Sequence, residues 1–219
     1  MIAENLQKVR ANIPKGVTLV AVSKTKPNEA LLEAYEGGQR VFGENKVQEL
    51  CAKQESLPAD IEWHMIGHLQ SNKVKYIAPF VHMIHGIDSF KLLKEVNKQG
   101  TKIHRKINVL LQFHIAQEDT KFGFSLEEAQ DMLQTITLHP LPCVTICGVM
   151  GMATFTENES QIRKEFGVLK NIFDQLKSSF FSNEVSFKEI SMGMSGDYLL
   201  AIEEGSTMVR VGSSIFGGR

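Results

Sequence analysis

Residues 18–35 read TLVAVSKTKPNEALLEAY, a short apolar run followed by a helical pattern. The letters TLVAVS lack the alternation of a half-exposed strand, so they predict a strand that is buried on both faces. Pro27 and Asn28 then begin a helix, which Gly37 and Gly38 end. A strand followed closely by a helix is the repeating unit of a parallel sheet.

The same unit recurs along the whole chain. Further strands are predicted at 40–42, 62–66, 82–87, 107–115, 145–150, 187–192 and 207–211. About eight such units in 219 residues favour one domain, 1–219, folded as a single (β/α)8 TIM barrel with an extra N-terminal helix. An open, doubly wound sheet is the alternative that the same pattern allows.

Side chains that cap free backbone N–H groups predict three helix starts. Ser125 with Glu128, and Thr156 with Glu159, have the spacing of a capping box. Ser195 is expected to cap a later helix, which Gly205 terminates.

Composition narrows the class of protein. The formal net charge is −1 and no basic arm is present, which argues against a nucleic-acid partner. No apolar stretch is long enough to span a membrane, and residues 1–13 lack the apolar core of a signal peptide. Three scattered cysteines are typical of buried thiols in a reducing compartment. We therefore expect a soluble cytoplasmic protein.

Lys24 is the first candidate for chemistry, because barrel enzymes place their active sites at the C-terminal ends of the strands. Lys24 follows the first strand, and side chains alternate along a strand, so Lys24 lies on the same face as Val20 and Val22. If that face is the inner one, Lys24 points into the barrel. A partly desolvated amine holds its proton less tightly, and a neutral amine is what Schiff-base formation requires. A strand-end lysine that extends its charge to water remains the alternative.

Arg210 is the second candidate, since it lies inside the last predicted strand between two valines. A guanidinium that faces a barrel interior needs acceptors, because an unpaired buried charge is costly. Those acceptors are expected either on a structural carboxylate or on a ligand.

Small residues follow the last two strands and predict an anion site. The loops contain Ser191, Gly193 and Ser195 after one strand and Gly212 with Ser213 after the next. Barrel proteins often bind phosphate at these two loops, where backbone N–H groups and hydroxyls are available. Glycine and serine are also ordinary turn residues, so the pattern alone allows plain turns.

Other motifs are missing from the sequence. It has no G-x-G-x-x-G after a strand, no Walker loop, no H-E-x-x-H and no G-x-S-x-G. The seven histidines lack metal-ligand spacing, and His64 and His68 straddle a predicted strand end, so no metal site is predicted.

Five segments together carry a family resemblance. They are AVSKTKP from Ala21, FGENKVQEL from Phe42, WHMIGHLQSNK from Trp63, GVMGMATF from Gly148 and SMGMSGDYLLAIEEGSTMVRVGSSIFG from Ser191. The chain resembles the YggS/PROSC family of proteins that bind pyridoxal 5′-phosphate (PLP), also called PLP homeostasis proteins. The resemblance implies a fold-type III PLP barrel, similar to the N-terminal domain of alanine racemase.

The resemblance also implies roles for individual residues. Lys24 matches the lysine that holds PLP as an internal aldimine, and Arg210 matches the arginine that faces the pyridine nitrogen. Positions around the phosphate are matched by Ser191, Ser195, Gly212 and Ser213. Motif residues near the ring are matched by Asn45, His64 and Met152. The chain departs from the family at His114, where asparagine is usual, and at Ala116, where a small polar residue is frequent.

The implied function is PLP binding and homeostasis, with little intrinsic turnover of amino acids. A PLP-dependent amino-acid racemase is the alternative, although it needs a second acid or base opposite the lysine. The given chain ends at Arg219, so no second domain is expected to supply one, and His114 is the best internal substitute. A barrel that binds a phosphorylated metabolite without PLP is the third hypothesis.

Expected partners follow from the same resemblance. They are PLP itself, amino acids and PLP-dependent apoenzymes, with no nucleic acid and no membrane. The protein is expected to be a monomer.

Overall fold

Eight parallel strands pair in chain order and close into a barrel in the computed structural model, which describes residues 1–117 and 122–218. The strands are β1 Thr18–Val22, β2 Val41–Glu44, β3 Glu62–Met65, β4 Met83–Ile87, β5 Ile107–Gln112, β6 Val144–Met150, β7 Glu189–Met194 and β8 Met208–Val211. The barrel closes where β1 pairs with β8, which sets Val20 beside Arg210. This closure confirms the predicted barrel over the open sheet.

Helices surround the barrel and connect successive strands. They are α1 Ile2–Ala11, α2 Asn28–Glu36, α3 Val47–Ser56, α4 Val74–Ile77, α5 Phe90–Lys102, α6 Leu126–Leu138, α7 Glu159–Ser179, α8 Tyr198–Glu203 and α9 Ser213–Phe216. The extra N-terminal helix is α1, and it packs against α2 and α9. Within the described ranges, no helix combines the length and the apolar character needed to cross a membrane.

The core has two layers because side chains alternate along each strand. Outward-facing residues such as Leu19 and Ala21 join the large apolar cluster between strands and helices. Inward-facing residues fill the barrel itself. The interior cluster contains Val20, Met83, Leu110, Cys147, Met150 and Met208. These side chains fill the barrel beneath the cavity at the strand ends.

The helix starts test the capping predictions. The capping box is confirmed at Ser125 and Glu128, whose side chains each accept the other residue's backbone N–H. The second predicted box is wrong, because Asn158 directly precedes α7 and its side chain accepts from Gln161 N. Thr156 instead accepts a hydrogen bond from Asn158 N, which is a local turn contact.

The predicted cap at Ser195 is also wrong. Helix α8 begins at Tyr198 with Asp197 before it, so Ser195 lies outside the first turn. Its Oγ accepts a hydrogen bond from Gly212 N at 3.1 Å. Ser195 therefore links the two loops that follow β7 and β8 instead of starting a helix.

Candidate functional site

A cavity of about 630 Å3 opens at the C-terminal ends of the strands. Seven of the predicted site residues line it: Lys24, Asn45, Met152, Ser195, Arg210, Gly212 and Ser213. His64 and Ser191 do not line the cavity, because both lie deeper in their strands. Ile66, two residues beyond His64 on the same side of its strand, takes the lining position. The size suits a small organic ligand.

Lys24 reaches the cavity from the end of β1. Val20 is fully buried in the barrel interior, and Val22 and Lys24 with the same parity line the cavity. Among the residues that the structure describes, none accepts a hydrogen bond or forms an ion pair with Lys24 Nζ. The predicted inward direction of Lys24 is therefore what the structure shows.

Lys26 has a different environment, although it also borders the cavity. Its Nζ donates to the backbone carbonyls of Phe216, Gly217 and Gly218, at 3.2, 3.1 and 2.8 Å. The carbonyls at the end of α9 lack intrahelical donors, and the Lys26 amine supplies a donor to them. Lys26 thus binds the C-terminal segment through these hydrogen bonds. The amine that remains available at the cavity belongs to Lys24.

The turn that carries Lys24 is held by a buried ion network. Thr25 has a φ of +65°, which a β-branched residue rarely adopts. Its N–H donates to Glu49 Oε1 at 2.6 Å, and Lys53 Nζ donates to the same oxygen at 2.7 Å. Lys53 also donates to Glu44 Oε1 and to the carbonyl of Ser23, at 2.7 and 2.8 Å. The unusual backbone of Thr25 is therefore fixed by contacts from α3.

Glu44 is the most deeply buried acid in this network, with a fully buried side chain. Burial raises the pKa of Glu44, while the hydrogen bonds from Lys53 and Ser23 oppose that rise. Lys53 is only 6 % exposed, so the pair is shielded from solvent. A buried ion pair of this kind depends on both of its partners.

Arg210 lies on the inward face of β8, as predicted, and is 4 % exposed. Its Nη1 donates to Ser191 O and Oγ at 2.9 and 2.6 Å, and its Nη2 donates to Gly151 O at 3.1 Å. Burial lowers the pKa of Arg210 to about 10, so the group remains charged at neutral pH. These acceptors are carbonyls and a hydroxyl, and the charge of the Asp197 carboxylate opposes the fall in the pKa of Arg210.

A chain of polar side chains continues from Arg210 across the barrel interior. Ser191 Oγ lies 3.0 Å from His85 Nδ1, and His85 Nε2 lies 2.8 Å from His64 Nδ1. Burial lowers the pKa of His64 to about 3 and that of His85 well below its usual value, so both imidazoles are neutral. His64 and Ser191 therefore support Arg210 from within the barrel.

The loops after β7 and β8 form one wall of the cavity. Gly212 lies close to the end of β1, because a Cβ there would lie 3.0 Å from Val22 O and 3.1 Å from Val22 Cβ. The hydrogen bond from Gly212 N to Ser195 Oγ holds the two loops together. Ser213 begins α9, where backbone N–H groups have no intrahelical acceptor. This wall offers hydroxyl and backbone donors suited to an anion.

The alternative acid and base candidates lie away from the cavity. His114 is exposed and does not line it. Tyr35, Tyr76 and Tyr198 are helix residues, and none of them lines the cavity. Ala116 is buried and is also absent from the lining.

Sequence reasoning missed four residues that support the site: His85, Glu49, Lys53 and Gly151. His85 lies on the inner face of β4, two residues after Met83. A histidine in this apolar strand indicated a buried polar contact inside the barrel. The i, i+4 spacing of Glu49 and Lys53 indicated a helical ion pair. The contact between this pair and the turn of Lys24 depends on tertiary packing, so the sequence did not indicate it.

Comparison with known proteins decides the family. The family model of the alanine racemase N-terminal domain matches residues 1–219. A pyridoxal phosphate homeostasis protein of Vibrio alginolyticus is 42 % identical over 94 % of this chain and 88 % of its own length. A protein of the same name from Aquifex aeolicus is 38 % identical over 100 % of this chain and 95 % of its own. The chain belongs to the family of pyridoxal phosphate homeostasis proteins.

Solved structures agree with membership in the homeostasis family. PipY of Synechococcus elongatus, 35 % identical, matches with a TM-score of 0.93 without PLP and 0.89 with PLP bound. Both comparisons cover 99 % of this chain and 100 % of PipY. Alanine racemase of E. faecalis, at 17 % identity and a TM-score of 0.76, shares the fold over 58 % of its length. The resemblance to PLP homeostasis proteins found in the sequence is thus confirmed.

Proposed function

We propose that this protein binds PLP in the cavity at the strand ends and acts in PLP homeostasis, with Lys24 holding the cofactor. The observation that carries the proposal is the amine of Lys24, which borders the cavity with no protein partner among the described residues. The equivalent amine of Lys26 is fully engaged by three carbonyls. Homologues named for PLP homeostasis, and PipY with PLP bound, support the assignment.

The residues around the cavity fit the three chemical parts of PLP. PLP supplies an aldehyde that reacts reversibly with amines and an aromatic ring that can act as an electron sink. Lys24 provides the amine, and the loops at Ser195 and Ser213 provide donors for a phosphate. Met152 and Ile66 line the cavity with apolar surface for a ring. Asn45 adds an amide to the same lining.

Arg210 sets the electrostatic character of the site. Its guanidinium is charged at neutral pH and only donates hydrogen bonds. A fixed positive charge disfavours a second positive charge nearby, so a ring nitrogen close to it stays unprotonated. A ring in that state withdraws electrons weakly. We therefore propose a binding protein with little turnover of amino acids, not a racemase.

The titratable groups that line the cavity support the same proposal. Racemisation needs proton transfer on both faces of the substrate. No tyrosine or histidine borders the cavity within the described residues, and Asp197 already accepts a hydrogen bond from Met194 N at 2.6 Å.

Incubation of the PLP-loaded protein with L- and D-amino acids tests this function. We expect a change in the visible spectrum or release of PLP, with no interconversion of enantiomers on chiral chromatography. Sustained production of the opposite enantiomer would establish the racemase instead. A protein that gains no visible absorbance when PLP is added would favour a barrel for another phosphorylated metabolite.

Glu49→Ala is expected to weaken PLP binding about tenfold, equivalent to about 1.4 kcal/mol. Glu49 positions the turn that carries Lys24. Without its carboxylate, Thr25 N loses its acceptor and Thr25 relaxes from its φ of +65°. Spectroscopic titration with PLP measures the effect. Glu55→Ala, an exposed position on the same helix, is the matched control and should bind as the unchanged protein does. Equal affinities for both variants would contradict a positioning role for Glu49.

We further propose that the protein acts as a monomer in the cytoplasm and exchanges PLP with amino acids and apoenzymes. Its three cysteines are unpaired, which suits a reducing compartment. Light scattering during size-exclusion chromatography checks the monomer.

A further inference from the structure

Three metal-binding side chains meet at the end of the barrel opposite the cavity. Glu62 is the first residue of β3, His64 lies two residues further on, and His82 immediately precedes β4. One ligand atom from each residue lies within 4.8 Å of the other two. Sheet pairing brings them together, because His64 is registered with Met83 beside His82.

His64, the buried member of this cluster, carries a polar atom without a hydrogen-bond partner in the described parts of the chain. Its side chain is 2 % exposed, and its Nε2 is buried without a hydrogen-bond partner. The opposite ring nitrogen, Nδ1, is engaged by His85 Nε2 at 2.8 Å. Leaving a buried polar atom unpaired is costly, so such an atom is a candidate to coordinate an ion.

The hydrogen bonds of His64 suit a metal ligand. A neutral imidazole has one N–H to donate and one lone pair for coordination. When Nδ1–H donates to His85, that lone pair is on Nε2, the ring nitrogen of His64 that no group of the described residues engages. Histidines that bind metals generally donate their other N–H to a neighbouring acceptor in this way.

We propose that Glu62, His64 and His82 bind a divalent transition-metal ion, with zinc as the best-suited occupant. Two imidazole nitrogens and one carboxylate oxygen form a donor set that zinc accepts in tetrahedral sites. Glu62 and His82 are 48 % and 41 % exposed, so water reaches the fourth position. None of the three residues lines the PLP cavity, and the proposal is independent of the proposed function.

Binding requires a small local rearrangement. A tetrahedron with bonds of about 2.1 Å places its ligand atoms about 3.4 Å apart. His82 Nε2 and Glu62 Oε2 already lie 3.6 Å apart. The His82 ring is stacked on His64, with an interplanar angle of 4° and centroids 5.3 Å apart, so it must rotate to direct its lone pair at the ion. Its partial exposure permits that rotation.

Calorimetric titration of the full chain with zinc chloride tests the site in a buffer that does not chelate metals. We expect one equivalent to bind, and we expect His82→Ala and Glu62→Gln each to raise Kd roughly a hundredfold, because each removes one protein ligand. Both positions are partly exposed, so the fold should survive, which circular dichroism checks. His68→Ala is the matched control, since His68 forms a separate histidine–carboxylate pair with Asp88.

Cobalt(II) provides a second readout of the ligand set. We expect visible bands of tetrahedral cobalt without the near-ultraviolet absorption of cobalt–thiolate bonds, because no cysteine belongs to the cluster. The proposal is overturned by a chain that binds no zinc, by a thiolate signature, or by affinity that stays unchanged in either ligand variant. Loss of binding in His68→Ala would overturn it as well.

Discussion

Lys24→Ala is expected to abolish covalent attachment of PLP, so that added PLP gives only the spectrum of the free aldehyde. The variant removes the one cavity amine that the described residues leave without a partner. We expect affinity to fall by about a hundredfold or more, equivalent to about 2.7 kcal/mol, since only the phosphate and ring contacts remain. Absorbance during a PLP titration measures both changes.

Lys26→Ala is the matched control for this prediction. Its amine holds the carbonyls of Phe216, Gly217 and Gly218, so its loss should reduce stability by roughly 1–3 kcal/mol. Covalent attachment should persist, because Lys24 is unchanged. The assignment of Lys24 fails if Lys24→Ala keeps the absorbance of the attached cofactor while Lys26→Ala loses it.

Lys53→Met is expected to lower the free energy of unfolding by about 3–5 kcal/mol, because it leaves a buried carboxylate without its cation. Glu44 has a fully buried side chain, and Lys53 Nζ is 2.7 Å from its Oε1. The remaining donor to that oxygen is the hydroxyl of Ser23, at 2.6 Å. Denaturation with urea at neutral pH measures the change.

The loss of stability in Lys53→Met should grow as the pH rises. Burial raises the folded-state pKa of Glu44 above the unfolded value near 4.5, and removing Lys53 removes a group that lowers it. At a pH between the unfolded and the folded pKa of Glu44, the folded state binds more protons than the unfolded state. The free energy of unfolding therefore falls as the pH rises through this range. The destabilisation is complete above the folded pKa. Acidification towards the unfolded pKa should therefore recover part of the lost stability in Lys53→Met.

Two further variants separate burial from simple charge pairing. Lys53→Met with Glu44→Gln removes both charges and should recover most of the loss. Lys170→Met breaks an exposed i, i+4 pair with Asp174 and should cost no more than about 0.5 kcal/mol. A similar small cost for Lys53→Met and Lys170→Met would contradict a buried, solvent-shielded network around Glu44.

Much of the fold was predictable because its signals are local. Buried parallel strands have continuous apolar runs, and the helices between them have the 3.6-residue period, so their order predicted a parallel sheet. The number of strand–helix units, about eight, favoured a closed barrel over an open sheet. Parity along single strands also predicted the inward positions of Lys24 and Arg210. The failed cap at Thr156 shows the limit of local patterns, since Asn158, a better-placed cap, starts the helix instead.

The supporting residues could not be predicted because they depend on register and closure. Ser191 and His85 are 106 residues apart in sequence and meet across the barrel. Thr25 and Glu49, 24 residues apart, meet only once α3 packs beside the first strand. The cluster of Glu62, His64 and His82 escaped a search for metal-ligand spacing, because neighbouring strands supply its members.

Borohydride reduction of the PLP-loaded protein, followed by peptide mass mapping, tests the central role of Lys24 most directly. Reduction converts the reversible bond between amine and cofactor into a stable pyridoxyl group, whose mass locates the modified residue. We predict that this group is found on Lys24 alone. A pyridoxyl group on Lys26, or on no lysine at all, would contradict the account.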